Sequence, residues 1–118
     1  ESPSQVFART TSRDVEIGAT TIPADHKVLC FLGAANRDPR RWAAPDAFDI
    51  DRPCAGQVAF GFGIHACVGQ VIARMEGELL LRALARRVRR IELVGAPRQR
   101  PNNTLRTLAA LPLRLVAA

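Results

Sequence analysis

Hydrophobic and polar residues alternate in the first part of the chain. Val15 and Ile17 alternate with acidic neighbours, a pattern typical of a half-buried strand. Gly18 then favours a turn, and residues 20–22 form a short return strand that ends at a proline. This pattern predicts a tight antiparallel hairpin over residues 13–23.

The segments around this hairpin are less periodic. Residues 4–9 predict a short strand, and the apolar run 28–32 predicts a buried strand or the start of a helix. Residues 33–41 suit one or two helical turns that stop at Pro39. Residues 42–59 show no sustained periodicity and predict a long loop, a kind of segment that is often functional.

The period changes to that of a helix in the second half of the chain. Apolar residues recur at spacings of three and four over residues 68–91, which predicts one long amphipathic helix. Glu78 and Arg82 form a favourable i,i+4 pair, and arginines near the end complement the helix dipole. Leucines alternate around Pro112, which predicts a terminal strand at a sheet edge. Together these elements predict an α+β chain.

Composition narrows the class of protein. The 118 residues suit one modest domain, and 47% of them are hydrophobic. The net charge is +6, and nearly all basic residues are arginine, which suits an acidic protein, a nucleic acid or an anionic membrane. Three scattered cysteines predict no disulfide framework and favour a reducing cytoplasm. No apolar stretch approaches about 18 residues, so no transmembrane helix is expected. The chain begins with Glu1 rather than Met, which indicates a piece of a longer protein.

The segment FGFGIHACVG, residues 60–69, is the candidate for chemistry. Cys67 stands just before the predicted helix, whose N-terminus presents unpaired N–H groups and the positive end of a dipole, and both favour negative charge. Three glycines allow tight turns and the close approach of something flat. The residues alone leave three interpretations open: a buried inert cysteine, a nucleophile paired with His65, or a metal ligand beside a planar cofactor.

The same segment and its continuation resemble the haem-binding signature of the cytochrome P450 family. That signature is Phe-Gly-x-Gly-x-His-x-Cys-x-Gly, followed by a helix with Ala-Arg and Glu, and the family binds haem through a cysteine thiolate. The matching positions are Phe60, Gly61, Gly63, His65, Cys67, Gly69, Ala73, Arg74 and Glu76. So many residues at fixed spacing make the signal far more specific than an isolated GxGxxG.

The resemblance covers residues 1–118 as the C-terminal segment of a single cytochrome P450 domain. It implies five parts: hairpin and sheet strands 4–32, a short helix and meander 33–59, the haem-ligand loop 60–69, a long helix 68–90, and terminal β segments 91–117. The family's K-helix Glu-x-x-Arg motif and its I helix do not occur in this sequence. The meander also departs from the pattern, since Ala47 stands where many members have Arg, and Arg52 is a candidate replacement.

The resemblance implies a role for particular residues. The cofactor-binding residues are Cys67, His65, Arg9, Phe60, Gly61, Val68 and Gly69. Cys67 is implied as the catalytic thiolate and axial ligand of the iron of haem b (heme b), while His65 and Arg9 would bind the haem propionates. Phe60 would pack near the sulfur, with the backbone N–H groups of Val68 and Gly69 directed at it.

Further residues are assigned away from the iron. Val6, Phe7 and Leu108 are implied to line the substrate pocket, and Arg74 to contact the redox partner. Of the remaining candidates, His26 is expected to be a surface histidine, and Cys30 and Cys54 are expected to be structural.

The function implied is that of a soluble, cytoplasmic bacterial monooxygenase that inserts one oxygen atom of O2 into a small organic substrate. The details are similar to members that O-demethylate para-substituted benzoic acids, which suggests an aromatic carboxylic acid. A ferredoxin-type partner would supply electrons, and no membrane partner is expected. The isolated chain is expected to be inactive and to hold haem weakly or not at all. Two alternatives stay open: a non-catalytic remnant that self-associates and, less favoured, a basic nucleic-acid-binding module.

Overall fold

The structure, a computed structural model, describes residues 2–118 and contains eight strands and two α-helices in that range. In chain order they are β1 (Val6–Thr10), β2 (Val15–Ile17), β3 (Thr20–Ile22), β4 (Lys27–Phe31), α1 (Leu32–Ala35), α2 (Gln70–Arg87), β5 (Val88–Leu93), β6 (Arg98–Arg100), β7 (Thr107–Ala110) and β8 (Leu113–Ala117). Each sheet of the described residues has two antiparallel strands. The α+β class is confirmed.

The chain divides into two compact units. Unit 1 comprises the residues up to Ala59 together with 103–105, and unit 2 comprises residues 60–102 and 106–118. Unit 1 contains β1 to β4 and α1, while unit 2 contains α2 and β5 to β8. Each unit is described by itself below.

The predicted hairpin of unit 1 is confirmed. β2 pairs with β3 from Val15 opposite Ile22 to Ile17 opposite Thr20. Gly18 stands in the turn with φ of +60°, a conformation that residues with a Cβ rarely adopt. The side chain of Asp14 accepts a hydrogen bond from the Ala24 N–H at 2.9 Å, which ties the far ends of the hairpin together.

At 28–32 both predicted alternatives occur in succession, since β4 ends at Phe31 and α1 begins at Leu32, but the predicted burial of the strand is wrong. β4 forms there and pairs with β1, but Leu29 and Phe31 are each 58% exposed, while Val28 and Cys30 are half-buried. Successive side chains of a strand point to opposite faces of the sheet, and along β4 one face is half-buried while the other is exposed. The helix predicted within 33–41 begins one residue earlier, at Leu32, and forms a single turn.

The long loop predicted at 42–59 is confirmed, and it surrounds the small core of unit 1. Trp42, 8% exposed, is the one buried apolar residue among those described. Its indole N–H donates to the Ala35 carbonyl at 3.1 Å. The Arg41 guanidinium carbon lies 5.0 Å from the centre of the indole, and its N–H donates to the Ala55 carbonyl. These contacts give the loop a fixed shape without regular secondary structure.

In unit 2, the helix predicted over 68–90 is shorter. α2 begins at Gln70, and at Val88 the backbone changes to extended, so the predicted C-terminal boundary is wrong. The strand β5 takes over because it pairs with β8, from Val88 opposite Ala117 to Leu93 opposite Leu113. This long-range ladder outweighs the helical periodicity that Val88 and Ile91 share with the residues before them.

The surface of α2 also differs from an ordinary amphipathic helix. None of its 18 residues is buried, and its apolar side is uncovered, with Val71 exposed by 71% and Leu79 by 60%. The predicted ion pair is present, with 2.6 Å between Arg82 Nη2 and Glu78 Oε1. No helix in residues 2–118 combines the length and the apolar character that crossing a bilayer requires.

Candidate functional site

Residues 60–69 of unit 2 form a closed loop. The backbone N–H of Cys67 donates to the Phe60 carbonyl at 2.7 Å, which joins the two ends. Between them a 3₁₀ turn, Gly63–His65, is closed by the Ala66 N–H, which donates to the Gly63 carbonyl at 3.0 Å. The loop therefore holds its own shape through backbone hydrogen bonds and leaves the Cys67 side chain exposed.

Gly61 is required by the geometry of this loop. Its φ is +75°, and a Cβ built on it would lie 2.5 Å from the carbonyl oxygen of His65, closer than real Cβ contacts allow. Any side chain here would force the backbone of the loop apart. The loop itself therefore requires glycine at this position, while the predicted role of Gly61 in cofactor binding stays a prediction.

The exposed sulfur of Cys67 lies beside the backbone at the start of α2. Gly69 caps the helix without a side-chain hydrogen bond, and a Cβ on Gly69 would lie 3.8 Å from Cys67 Sγ. Among the described residues, the N–H groups of Val68 and Gly69 have no protein acceptor. Free N–H groups at a helix start beside a sulfur suit a negatively charged thiolate.

These observations separate the three interpretations of Cys67. The side chain is exposed, so a buried inert cysteine is excluded. No hydrogen bond joins the thiol to His65 in the described structure, so a preformed nucleophile–base pair is not supported. Residues 2–118 also contain no cluster of three or more His, Cys, Asp or Glu side chains that could hold a metal ion alone. A single exposed sulfur in a backbone cradle fits haem, whose macrocycle supplies the other ligands of the iron.

Arg74, on the second turn of α2, lies over the Phe60 ring. Its guanidinium carbon is 5.2 Å from the ring centre, within the range of a cation–π interaction. The sequence did not reveal this contact, because the two residues are far apart in the chain and belong to no shared period. The contact links the helix to the residue whose carbonyl holds the Cys67 N–H.

His65, Val68 and Arg9 are further residues predicted to bind the cofactor. His65 ends the 3₁₀ turn and is exposed, and Val68 is fully exposed. Arg9, in β1 of unit 1, is exposed; it donates to the Ala8 carbonyl at 2.9 Å, and its guanidinium carbon is 5.7 Å from the Phe7 ring centre. The roles of His65 and Arg9 toward haem propionates stay predictions.

The predicted pocket residues fall in both units. Val6 is half-buried and Phe7 is 45% exposed, both in β1, while Leu108 in β7 is 44% exposed and pairs with Gln99. Their role toward a substrate stays a prediction.

The secondary cysteine and histidine predictions have mixed outcomes. His26 is exposed, as expected, with its Nδ1 hydrogen-bonded to the Ala24 carbonyl oxygen at 2.9 Å. Cys30 is half-buried, in keeping with a structural role, but Cys54 is exposed and does not pack as a structural cysteine would.

Arg52 is the residue suggested as a replacement in the meander, and the structure gives it clear contacts. Its guanidinium donates to the carbonyls of Ala43, Ala44 and Ala47 in unit 1, the last two at 2.9 and 3.1 Å. The Arg52 side chain therefore holds the backbone of residues 43–47 together, and this segment contains Ala47, where the family pattern often has arginine. Whether it replaces that arginine functionally stays a prediction.

Comparison with known proteins places this chain among its relatives. The family model for "Cytochrome P450" matches residues 2–115. The chain is 58% identical over its whole length to cytochrome p450 CYP199A2 of Rhodopseudomonas palustris, of which it covers 29%. It is 47% identical over 110 residues, 93% of its length, to the beta-dihydromenaquinone-9 omega-hydroxylase of Mycobacterium tuberculosis, of which it covers 22%.

A solved structure agrees. The crystal structure of P450BioI in complex with an acyl carrier protein carrying hexadec-9Z-enoic acid matches with a TM-score of 0.93 and 39% identity, over 98% of this chain and 30% of that one. The chain thus spans less than a third of the length of each of these proteins. The match covers nearly every residue, including the Cys67 loop, and the chain belongs to the cytochrome P450 family.

Proposed function

We propose that the 60–69 loop supplies the proximal ligand of a haem-thiolate monooxygenase. The observation that carries the proposal is the closed backbone loop that presents the Cys67 sulfur at the start of α2. When bound, haem b supplies the iron at which O2 is activated, so that one oxygen atom enters a small organic substrate.

Residues of the loop, together with Arg9 of β1, would hold the haem. Cys67 would bind the iron as a thiolate, and the free N–H groups of Val68 and Gly69 would donate to its sulfur and disperse its negative charge. His65 and Arg9 would bind the two propionates, since both side chains are exposed and can present N–H donors to carboxylates.

A test of the ligand assignment compares two exposed cysteines. In a longer protein that contains this chain, Cys67→Ala is expected to abolish haem binding through sulfur, whereas Cys54→Ala, at an exposed cysteine of unit 1, should leave it unchanged. The measurement is the CO-difference spectrum of the reduced protein, in which thiolate ligation has a characteristic band. A thiolate band that survives Cys67→Ala, or disappears in Cys54→Ala, would overturn the assignment.

The rest of the family domain is needed for activity in this proposal. The 118 residues correspond to less than a third of the relatives, so a protein of these residues alone is proposed to be inactive and to bind haem weakly. Haem titration of the 118-residue chain beside a longer protein that contains it measures the difference. Tight haem binding by the short chain would contradict this part of the proposal.

The substrate class proposed is a small aromatic carboxylic acid, oxidised with Val6, Phe7 and Leu108 among the pocket residues. Its support is the similarity of the sequence to family members that act on para-substituted benzoic acids. In the longer protein, a para-substituted benzoate is expected to shift the haem absorption spectrum, while the benzamide of the same shape should not. Equal shifts with both compounds would show that the protein does not recognise the carboxylate of the substrate.

The electron donor proposed is an acidic ferredoxin-type protein. Unit 2 carries ten arginines and three glutamates, a net charge of +7, so its surface attracts an acidic partner. Binding should weaken steeply with salt, and duplex DNA at moderate salt serves as the comparison. Stronger binding to DNA than to the ferredoxin would favour the nucleic-acid alternative. The free cysteines fit a reducing cytoplasm, which we propose as the location.

Self-association is a second candidate, supported by the exposed apolar side of α2. Val71, Ile72, Met75 and Leu79 are each more than half exposed, an arrangement that favours contact with another surface. We propose that the 118-residue chain pairs with a second copy through this side. Met75→Lys should then lower the mass measured by sedimentation, whereas Arg86→Lys should not. A monomeric wild-type chain would exclude the pairing.

A further inference from the structure

We propose that Arg74 is a positioning residue for the Cys67 loop, acting through the ring of Phe60, rather than primarily a contact for a redox partner. The inference rests on the proposed function in one respect: it takes Cys67 as the ligand whose position matters. Its central test does not need haem, so the two can fail separately.

The contact geometry is specific to Arg74. The guanidinium carbon lies 5.2 Å from the centre of the Phe60 ring, and Phe60 is half-buried at the start of the loop. The carbonyl of the same Phe60 accepts the Cys67 N–H at 2.7 Å. Phe60 therefore contacts the Arg74 guanidinium through its ring and accepts the Cys67 N–H through its backbone carbonyl.

No ion pair of the described residues draws the Arg74 guanidinium away from the ring. Among the described residues Arg74 forms no ion pair, although Arg82 on the same helix pairs with Glu78. The positive guanidinium is attracted to the negative face of the ring, and this attraction resists rotation or withdrawal of Phe60. Because Phe60 anchors the Cys67 N–H, the helix thereby restrains the ligand loop.

A plain surface arginine predicts a different outcome. If Arg74 only attracted an acidic partner, its removal would change partner binding and salt dependence while the loop stayed as it is. If Arg74 holds Phe60, its removal should loosen the Cys67 N–H even in the absence of any partner.

The first experiment is amide hydrogen exchange of the haem-free chain. In Arg74→Gln, the Cys67 amide is expected to exchange roughly two- to fivefold faster, the factor that loss of an exposed cation–π contact corresponds to. Arg86→Gln removes the same charge from the last turn of α2 without touching the ring, and should leave this rate unchanged. Arg74→Lys, which keeps a cation, should restore part of the protection.

A double-mutant comparison identifies the ring as the intermediate. In Phe60→Leu the ring is gone, so adding Arg74→Gln should produce no further acceleration at Cys67. Additive effects of the two substitutions would overturn the proposal, as would equal acceleration in Arg86→Gln or no acceleration in Arg74→Gln.

A second experiment connects the contact with haem. In the longer, haem-loaded protein that contains this chain, Arg74→Gln is expected to lower the thiolate-ligated fraction of the reduced CO complex, with Arg74→Lys intermediate and Arg86→Gln unchanged. A change confined to ferredoxin affinity, with the spectrum intact, would assign Arg74 to partner binding instead. If the longer wild-type protein shows no thiolate band, the proposed function fails, while the exchange result on the 118-residue chain still decides the role of Arg74.

Discussion

The two units of the molecule differ in what holds their irregular segments in place. In unit 1, the long loop contains the buried Trp42, and arginine side chains donate to its backbone carbonyls. In unit 2, the 60–69 loop closes through backbone hydrogen bonds, and α2 beside it buries none of its residues. Unit 1 is stabilised from within, whereas unit 2 keeps its side chains available for contacts outside the unit.

The charges follow the same division. Unit 1 has seven basic and eight acidic residues, while unit 2 has ten arginines and three glutamates. Basic and acidic side chains in unit 1 pair over short distances, as in Arg37 with Asp46 at 2.7 Å. With ten arginines and three glutamates, unit 2 has an excess of positive charge that acts on molecules that approach it. The net charge of +6 is therefore the sum of a nearly neutral unit 1 and a strongly basic unit 2.

The largest effect is expected at the core of unit 1. Trp42→Ala should lower the free energy of unfolding by about 3 kcal/mol, because it removes a buried indole and leaves the Ala35 carbonyl without its donor. Urea unfolding followed by circular dichroism measures the change. The matched control is Phe48→Ala, in the same loop but 95% exposed, which should change stability little. Similar losses in both variants would contradict an internal core in unit 1. If the Ala variant does not fold, Trp42→Phe should still show a loss of about 1 kcal/mol.

The next effect tests the backbone closure of unit 2. Gly61→Ala should cost about 2 kcal/mol and weaken haem binding, because the new Cβ adds a clash with the His65 carbonyl to the strain of a positive φ. Gly63→Ala is the control, since its φ is +60° but no atom lies within 4 Å of the new Cβ. Its cost should be near 1 kcal/mol, from strain alone. Urea unfolding of both variants, and haem titration of the same variants in the longer protein, provide the comparison. Equal costs would mean that the clash is relieved.

A smaller effect is expected from Arg52, whose side chain binds three backbone carbonyls of the long loop in unit 1. Arg52→Gln should destabilise the chain by about 1 kcal/mol, because three carbonyls of residues 43–47 lose a charged donor but stay accessible to water. Arg13→Gln, an exposed arginine of the same unit, is the control for loss of charge. Thermal unfolding distinguishes the two, and an effect at Arg13 as large as that at Arg52 would indicate that charge alone matters.

The smallest effect concerns pH. The hydrogen bond from the Arg40 side chain, helped by the Arg40 backbone N–H, lowers the pKa of Asp38 from 3.8 to about 2. Since the pKa is lower in the folded chain, the stabilisation is complete above about 4 and is lost as the pH falls toward 2. Both side chains reach water, so the effect is small.

Asp38→Asn should therefore reduce the drop in melting temperature between about pH 4 and pH 2, measured by circular dichroism. Asp51→Asn, in the exposed part of the same unit, should keep the full drop of the wild type. An acid response in Asp38→Asn equal to that of the wild type would show that the Asp38–Arg40 ion pair does not stabilise unit 1.

The sequence by itself determined the features that depend on neighbouring residues. The hairpin follows from period-two alternation around Gly18, and the Glu78–Arg82 pair follows from helical spacing, so both are present as predicted. The family membership was also readable from the sequence, because the signature around Cys67 is local and its spacing is fixed.

The tertiary structure alone decided where long-range contacts compete with local preference. α2 stops at Arg87 because β5 pairs with the distant β8, from Val88 opposite Ala117 to Leu93 opposite Leu113, and no period in the sequence marks that boundary. Trp42 became the core of unit 1, and Arg74 came to lie on Phe60, through contacts between residues that are distant along the chain or lack a shared period. Local patterns specify turns and periods, whereas pairing, burial and ring contacts depend on which distant residues meet.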